Sequence, residues 1–333
     1  MSSEMDTLGM AANQSVLRYR LPFLTMLVLL SFGSSVRADR GPREWAFIRL
    51  DYARKEKVQQ LRRHCDTVHN LAASIRDDKV MIEFFDANNK YYSMVQNGSA
   101  PDALKQKMKE FRHALNGHYV KTYLCFYDIL FVNKAGDVIY TIRRESDYHS
   151  NVFAGESAPT PLAEPLRRDP QQEVFLDFDY YAPSDEPAAF FVEPATKEGK
   201  HIGWFVLQCA INKINSLFAG AEQLGQTGEA FLVNHEGYML TQSTFLGDST
   251  ILKVHLDDKN IEAKFREKQG NKIVTDYRGF TALTSFEVFE FLGIQWLVVT
   301  KVDESGHYRA FPAAPKVLSR QGDGVLIGER ADQ

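Results

Sequence analysis

The chain has 333 residues, of which 44% are hydrophobic and 25% charged. These values are typical of a folded soluble protein with enough residues for two modest cores. The net charge of −4 and the lack of a basic run argue against a nucleic-acid partner and against electrostatic binding to anionic lipid. Three cysteines are too few for a disulfide framework, so the interpretations are buried thiols or a single Cys125–Cys209 bridge.

The N-terminal segment has the features of a targeting sequence. Arg18 and Arg20 precede an apolar stretch at 21–32, and Val36 and Ala38 match the small-residue pattern for cleavage after position 38. About a dozen apolar residues are too few to cross a bilayer comfortably. We therefore predict a signal peptide over 1–38, with an uncleaved N-terminal anchor as the alternative. The remainder is expected outside the cytoplasm, either periplasmic or secreted, or held at the inner membrane by that anchor.

Apolar residues that recur every three or four positions predict a helix over 43–75. Such a helix is roughly 50 Å long, more than one small domain can cover, so we expect it to support two modules. Its remaining apolar stripe could pair with a second copy in a homodimer or pack only on its own chain. Further helices are predicted at 79–94 and at 101–115, where Asn116-Gly117 ends the pattern. Residues 39–120 thus form an N-terminal helical region.

The next part of the chain is duplicated. FVNKAGDVIYT at 131–141 and LVNHEGYMLTQ at 232–242 align at a constant offset of 101 residues. Gly136 and Gly237 allow positive φ, so each copy predicts a hairpin. Looser repeats follow in the strand pairs 188–193 with 203–207 and 280–286 with 296–301. We predict tandem modules over 121–220 and 221–311, before a polar tail at 312–333.

Each module is predicted to be a five-stranded antiparallel sheet with flanking helices, an α+β arrangement. The first module takes strands at 126–133, 138–142 and 173–178, a short helix at 161–168 and a connecting helix at 211–218. The second takes a hairpin at 230–241, a helix at 261–268 and a strand at 272–276.

Three blocks of this sequence resemble the double Cache (dCache) family of extracytoplasmic sensors. They are FYDILFVNKAGDVIYTIRRESDY at 126–148, the segment 178–215, and GQTGEAFLVNHEGYML at 225–240. Family members are the ligand-binding portions of bacterial chemoreceptors, histidine kinases and cyclases. The resemblance implies a long N-terminal helix backing two PAS-like Cache modules. It also implies a membrane-distal first module that binds a small molecule, a membrane-proximal second module that is mostly structural, and a role in signal transduction.

Two departures from the family pattern change what the resemblance implies. Family receptors have a second membrane span after the last strand, and none is evident here, so we expect a membrane receptor or kinase partner. The amino-acid-binding branch has an Arg-x-Trp-Tyr cluster after the first hairpin, whereas this chain has RRESDY at 143–148. Amino-acid specificity is therefore not carried over.

Polar and aromatic residues at the ends of the second and third strands are the best candidates for a ligand site. If the module folds as expected, they border one concave face, where an aspartate could hold an ammonium group and aromatic faces could cover a cation. The arginine could pair with an acidic group. The alternative is a solvated loop with surface aspartates. The candidates are Tyr140, Arg143, Asp147, Tyr148, Asp177, Asp179 and Tyr181.

Two other functions are compatible with this sequence. A scaffold without a ligand is the first alternative, and a hydrolase is the second, because Asp177 and Asp179 lie two apart on a strand and could share a face. The scattered histidines and the absence of HExxH and CxxC motifs give no reason to expect a metal site or any cofactor. We expect a binding protein with no catalytic residues.

Overall fold

A computed structural model of the protein describes residues 41–154, 160–221, 224–256 and 258–305. The elements from Ala46 onward belong to one folded unit. The predicted signal segment and the polar tail lie outside the described residues. None of the described helices combines the length and the apolar character needed to cross a membrane.

Three helices come first, as predicted. They are α1 (Pro42–Ser74), α2 (Lys79–Gln96) and α3 (Asp102–Thr122), with one 3-10 turn at Ile75–Asp77 between α1 and α2. The Asp78 carboxylate starts α2, since it accepts hydrogen bonds from the N–H groups of Val80 at 2.9 Å and Met81 at 3.2 Å.

The predicted end of the third helix at Asn116-Gly117 is wrong, because α3 continues to Thr122. The buried Tyr119 ring lies beyond that point, and its hydroxyl donates to the Phe126 carbonyl at 2.6 Å. His118 contacts the Asp78 carboxylate, also at 2.6 Å. A glycine costs a helix only about 1 kcal/mol relative to alanine, so these tertiary contacts outweigh the local stop signal.

The first module is the predicted five-stranded antiparallel sheet, with strand order β2-β1-β5-β4-β3. Two short helices accompany it, α4 (Ala163–Arg167) and α5 (Ile211–Phe218). Gly136, at φ +85°, makes the tight turn of the predicted hairpin. The strands are β1 (Asp128–Asn133), β2 (Val138–Thr141), β3 (Val174–Tyr181), β4 (Glu186–Lys197) and β5 (Lys200–Ala210).

This sheet is buried on both faces. On the face that we call the helix face, Phe131, Phe191 and Phe205 belong to the same core as buried residues of α1 and α2. On the opposite face, called the outer face, strand residues such as Leu130 and Phe190 pack against the loop and α4 that precede β3. Alternate residues of β1 and β5 therefore point to different cores.

The second module has four strands in the order β6-β9-β8-β7, with α6 (Asp258–Glu267) beside them. The predicted fifth strand is wrong, since the segment after Gly237 makes only isolated bridges. The ladder ends because the Leu232 N–H bonds the Thr241 hydroxyl at 3.0 Å in place of a main-chain carbonyl. The strands are β6 (Glu229–Asn234), β7 (Gln269–Thr275), β8 (Thr281–Phe291) and β9 (Ile294–Asp303).

Helix α1 supports both modules, as its length predicted. Near its start, the Leu50 carbonyl accepts from the Thr300 hydroxyl at 2.9 Å, and Arg54 donates to the Phe286 carbonyl at 2.9 Å. Near its end, His69 contacts Glu173 at 2.8 Å, just before β3 of the first module.

The two modules also contact each other directly. The Trp296 indole N–H donates to Asp177 Oδ1 at 2.8 Å, and the Phe175 and Phe291 rings meet edge to face at 5.2 Å. Cys65 and Cys209 line a cavity of about 30 Å³ at this junction. All three cysteines are free thiols in the structure, so the Cys125–Cys209 bridge is not formed.

Gly203 offers a test of the first sheet. Its φ is +144°, and an added Cβ would lie 2.2 Å from the Val132 carbonyl oxygen. We expect Gly203→Ala to lower the free energy of unfolding by about 2 kcal/mol or more in urea titrations. The control is Gly117→Ala on α3, where nothing lies within 4 Å, and it should stabilise by up to about 1 kcal/mol. A neutral Gly203→Ala variant would contradict the described β1–β5 pairing.

Candidate ligand-binding site

Asp128 is the first residue of β1, and its side chain is fully buried at one end of the outer face. Its Oδ1 atom accepts three main-chain N–H groups, from Ile129 at 2.7 Å, Ile142 at 2.9 Å and Arg143 at 3.2 Å. Its Oδ2 atom is buried without a hydrogen-bond partner. One oxygen thus fixes the carboxylate in place and leaves the other available.

Two further carboxylates of the loop after β2 are held in the same way. The Tyr127 hydroxyl donates to Glu145 Oε1 at 2.7 Å, and the Tyr181 hydroxyl donates to Asp147 Oδ2 at 2.7 Å. The second oxygens, Glu145 Oε2 and Asp147 Oδ1, are buried and have no partner. None of the ion pairs among the described residues involves Asp128, Glu145 or Asp147. We call these three residues the carboxylate cluster.

The carboxylate cluster is close enough for its members to affect one another's protonation. Burial raises the pKa of Asp128 to about 7, and the charge of Asp147 adds to the rise. Burial likewise raises the pKa of Asp147, with a contribution from Glu145. The pKa of Tyr181 lies well above its usual range, first because of burial and then because of Asp147. The phenol therefore remains a hydrogen-bond donor at neutral pH.

Gln208 completes this end of the outer face. It lies directly opposite Asp128 in the β1–β5 register, and the residue is only 2% exposed. Its amide N–H donates to Ser184 Oγ at 2.9 Å, whereas Oε1 is buried without a partner. Four oxygen acceptors without a donor from the chain are therefore buried in this region, and such groups in folded proteins are usually satisfied by a ligand, an ion or an ordered water.

Of the seven predicted site residues, the structure brings Asp147 and Tyr181 together at the carboxylate cluster. Tyr140 and Tyr148 pack on the helix face instead, where the Tyr140 ring lies 4.9 Å from Phe84. A bulge in the β1–β2 pairing causes this, because it turns Tyr140 to the same face as its partner Phe131.

Arg143 is exposed and does not reach the cluster with its guanidinium. Its Nε donates to the Tyr127 carbonyl at 2.7 Å, and the group lies over the Tyr127 ring at 4.0 Å. Arg144 is the arginine that lies near the predicted tyrosines, 5.6 Å from the Tyr140 ring and 5.7 Å from that of Tyr148.

Asp177 and Asp179 do not share a face, which removes the basis of the alternative in which they act as a paired-carboxylate hydrolase site. A bulge in β3 lies between Leu176, opposite Phe190, and Asp179, opposite Ala188. Both partners face the outer core, which places Asp179 on the outer face. Asp177 instead accepts the Trp296 indole N–H at the junction with the second module.

The sequence prediction missed Asp128, Glu145 and Gln208. One available signal was the duplication, because Asp128 and Glu229 lie at the same offset of 101 as the hairpin residues. Another was an acidic residue at the start of an otherwise apolar strand. Within the described ranges, no group of three His, Cys, Asp or Glu side chains has the geometry to hold a metal ion.

Comparisons with known proteins agree with this architecture. No family model matches the sequence, and no curated protein matches it either. Among solved structures, the extracellular domain of a protein described as a histidine kinase aligns with a TM-score of 0.52 and 10% identity, over 78% of this chain and 93% of the other. A domain of a sensory box/GGDEF family protein from Vibrio parahaemolyticus aligns with the same TM-score, identity and share of this chain, and over 98% of its own length.

The chain has the double Cache fold. The first Cache module is the five-stranded sheet with the carboxylate cluster, and the second is the four-stranded sheet. The fold expected from the sequence resemblance is therefore confirmed.

The raised pKa of Asp128 predicts how the stability of this double Cache chain depends on pH. Because the folded state binds this proton more tightly than the unfolded state, stability from Asp128 increases as pH falls below about 7. We expect the wild type to gain about 2 kcal/mol relative to Asp128→Asn between pH 8 and 5.5, in urea titrations at each pH.

Asp86 provides the matched control for this pH dependence. Lys197 and Lys90 outweigh its partial burial and hold the pKa of Asp86 below its usual range, so it is ionised in both states above pH 5. The Asp86→Asn curve should therefore run parallel to that of the wild type. A parallel Asp128→Asn curve would show that Asp128 is not a buried, protonatable group.

Proposed function

We propose that the protein is an extracytoplasmic sensor domain that binds a small molecule at the carboxylate cluster of its first module. The observation that carries this proposal is the set of buried, unpartnered acceptors at Asp128, Glu145, Asp147 and Gln208. Unpaired buried polar groups cost about 1–3 kcal/mol each, so a ligand that supplies donors has a large advantage over an empty site. The fold shared with the extracellular domain of a protein described as a histidine kinase, and with a domain of a sensory box/GGDEF family protein, supports the same role.

Binding at this site needs no covalent chemistry. The ligand's donors would replace the missing partners, and the loop after β2, which carries Glu145 and Asp147, would be drawn toward β1. Such a ligand favours the arrangement in which this loop lies closer to β1. The size of that shift is limited by the difference in the ligand's affinity for the two positions of the loop. We also propose that a membrane receptor or kinase binds this protein and responds to the change. A homodimer that pairs two copies of α1 is part of the same proposal.

A thermal-shift screen tests this function, with amino acids, amines, organic acids, purines and sugars as probes. A compound at 100 times its dissociation constant should stabilise the native state by about 2.7 kcal/mol. Asp147→Asn and Tyr181→Phe should each weaken the hit by tenfold or more, because their 2.7 Å contact orients the site. Asp102→Asn, an exposed change on α3, is the control and should bind normally. A screen without hits on well-folded protein would favour a scaffold that binds no ligand.

The junction between the modules is the proposed route by which the ligand state leaves the first module. Asp177 lies on β3, four residues before Tyr181, and accepts from Trp296 of the second module. Movement of Tyr181 with the ligand would therefore move β3 and its contact with β9. This movement would then be transmitted to α1, which contacts both modules.

Trp296→Phe tests this route, since it keeps an aromatic ring and removes the indole donor. We expect the hit to bind within about twofold of its normal affinity, while the ligand-induced slowing of hydrogen exchange in β9 disappears. Trp204→Phe is the matched control, because its indole donates to the Pro170 carbonyl within the first module. Slowing of exchange in β9 that persists in Trp296→Phe would exclude this contact as the route.

A further inference from the structure

The two modules place an acidic residue at the same point. Asp128 starts β1 and Glu229 starts β6, at the offset of 101 that relates the two hairpins, and both residues are 0% exposed. The residue opposite Asp128 on the neighbouring strand is Gln208, and the residue opposite Glu229 is Lys301. The duplicated sheets thus differ at one decisive pair, where an amide in the first module corresponds to an ammonium in the second.

In the second module, this acidic end of the sheet holds its own cations. Lys301 Nζ lies 2.9 Å from Asp276 Oδ2 and 3.5 Å from Glu229 Oε2. Arg278 contacts Asp276 at 2.6 Å and also pairs with Asp303. Three buried carboxylates therefore share two buried cations. None of their oxygens is among the buried unpartnered atoms of the described residues.

Aromatic rings surround the Lys301 ammonium. Its Nζ lies 4.9 Å from the centre of the Phe245 ring and 5.3 Å from that of Tyr277. The Tyr277 hydroxyl also donates to Glu229 Oε2 at 2.6 Å. Acidic oxygens on one side and aromatic faces on the other are the usual surroundings of a buried organic cation.

The first module has a similar set of groups without the cations, although only Asp128 and Glu229 occupy equivalent positions. Asp128, Glu145 and Asp147 are again three carboxylates, and each keeps one oxygen without a partner. The Tyr181 hydroxyl bonds a carboxylate here, as that of Tyr277 does in the second module. The Tyr181 ring meets Phe190 edge to face at 4.9 Å, and Phe190 is the neighbour of Gln208 on β4.

The electrostatic consequences are opposite in the two modules. Burial alone would raise the pKa of Asp276, but Lys301 and Arg278 bring it below its usual range. In the first module no cation offsets burial. The main-chain N–H groups that bond Asp128 lower its pKa only in part, and it still rises to about 7. A buried carboxylate without a cation is costly, so this site gains strongly from a positive partner.

We propose that the first module binds a small organic cation, an ammonium or guanidinium compound, in the position that the Lys301 side chain fills in the second module. This inference rests on the proposed sensing function and names the ligand class of that site. A guanidinium brings five N–H donors, enough for the four unpartnered oxygens of Asp128, Glu145, Asp147 and Gln208, and an ammonium brings three, one for each carboxylate. Gln208 is the residue that keeps the position free of a cation from the chain itself.

The first test installs the second module's cation in the first module. Gln208→Lys should raise the melting temperature by about 3 °C or more at pH 8, because the new ammonium pairs with the carboxylate cluster. Gln208→Met has a similar length and no charge, and it should not stabilise the protein. A Gln208→Lys variant that is no more stable than Gln208→Met overturns the assignment.

The second test uses probes that share a four-carbon chain and differ in charge, namely n-butylamine, 1,4-diaminobutane and agmatine against 1-butanol and butyrate. The cations should raise the melting temperature of the wild type, and Gln208→Lys should weaken their binding by tenfold or more. Asp128→Asn should also weaken the binding of the cations. This variant replaces Gln208→Lys in the test if Gln208→Lys does not fold.

The outcomes separate the ligand class from the sensing function. If butyrate, butanol or another uncharged or anionic compound binds with dependence on Asp147 and Tyr181, while the three cations do not, sensing stands and the cation assignment is overturned. If the cations bind but Gln208→Lys leaves their affinity unchanged, the position of the ligand is wrong.

Discussion

The structure depends on one shared support, the 33-residue helix α1, against which both modules pack. Its buried stripe includes Arg54 and Lys57, each only 5% exposed. These cations are tolerated because they donate to main-chain oxygens, Arg54 to Phe286 in the second module and Lys57 to Leu217 at the end of α5. The helix therefore joins the modules through directional bonds as well as apolar contact.

Because the modules are duplicated, the first strand of each sheet pairs with the last strand in the same register. The two sheets differ in the charges of the side chains at that pairing. The first position of β1 and of β6 carries a buried acid in each module, yet only the second module has Lys301 and Arg278 to neutralise its acids. A module whose charges are paired internally is suited to a structural role, since it has no missing partners. In the proposed function, the module with the unpaired carboxylate cluster is the one that responds to a molecule from outside. The division of charge agrees with that proposal of a sensing first module and a supporting second module.

The candidate site was only partly predictable. Asp147 and Tyr181 were expected from polar residues near strand ends, and their carboxylate–phenol contact lies within the cluster. Tyr140 and Asp177 were expected beside them, but β-bulges turn both away. A bulge adds one residue to one strand and reverses which face the following side chains occupy. Simple alternation along a strand cannot reveal this, because the bulge depends on how the partner strand pairs.

The sequence by itself determined the number and order of the modules, the long helix and the hairpin turns, because hydrophobic period and glycine placement act over a few residues. Only the tertiary structure decided that α3 continues through Gly117, that the first hairpin of the second module contributes one strand and leaves a four-stranded sheet, and that Gln208 faces Asp128. These features arise from contacts between residues far apart in the chain. Burial, register and the supply of hydrogen-bond partners are properties of the assembled sheet, and no local pattern encodes them.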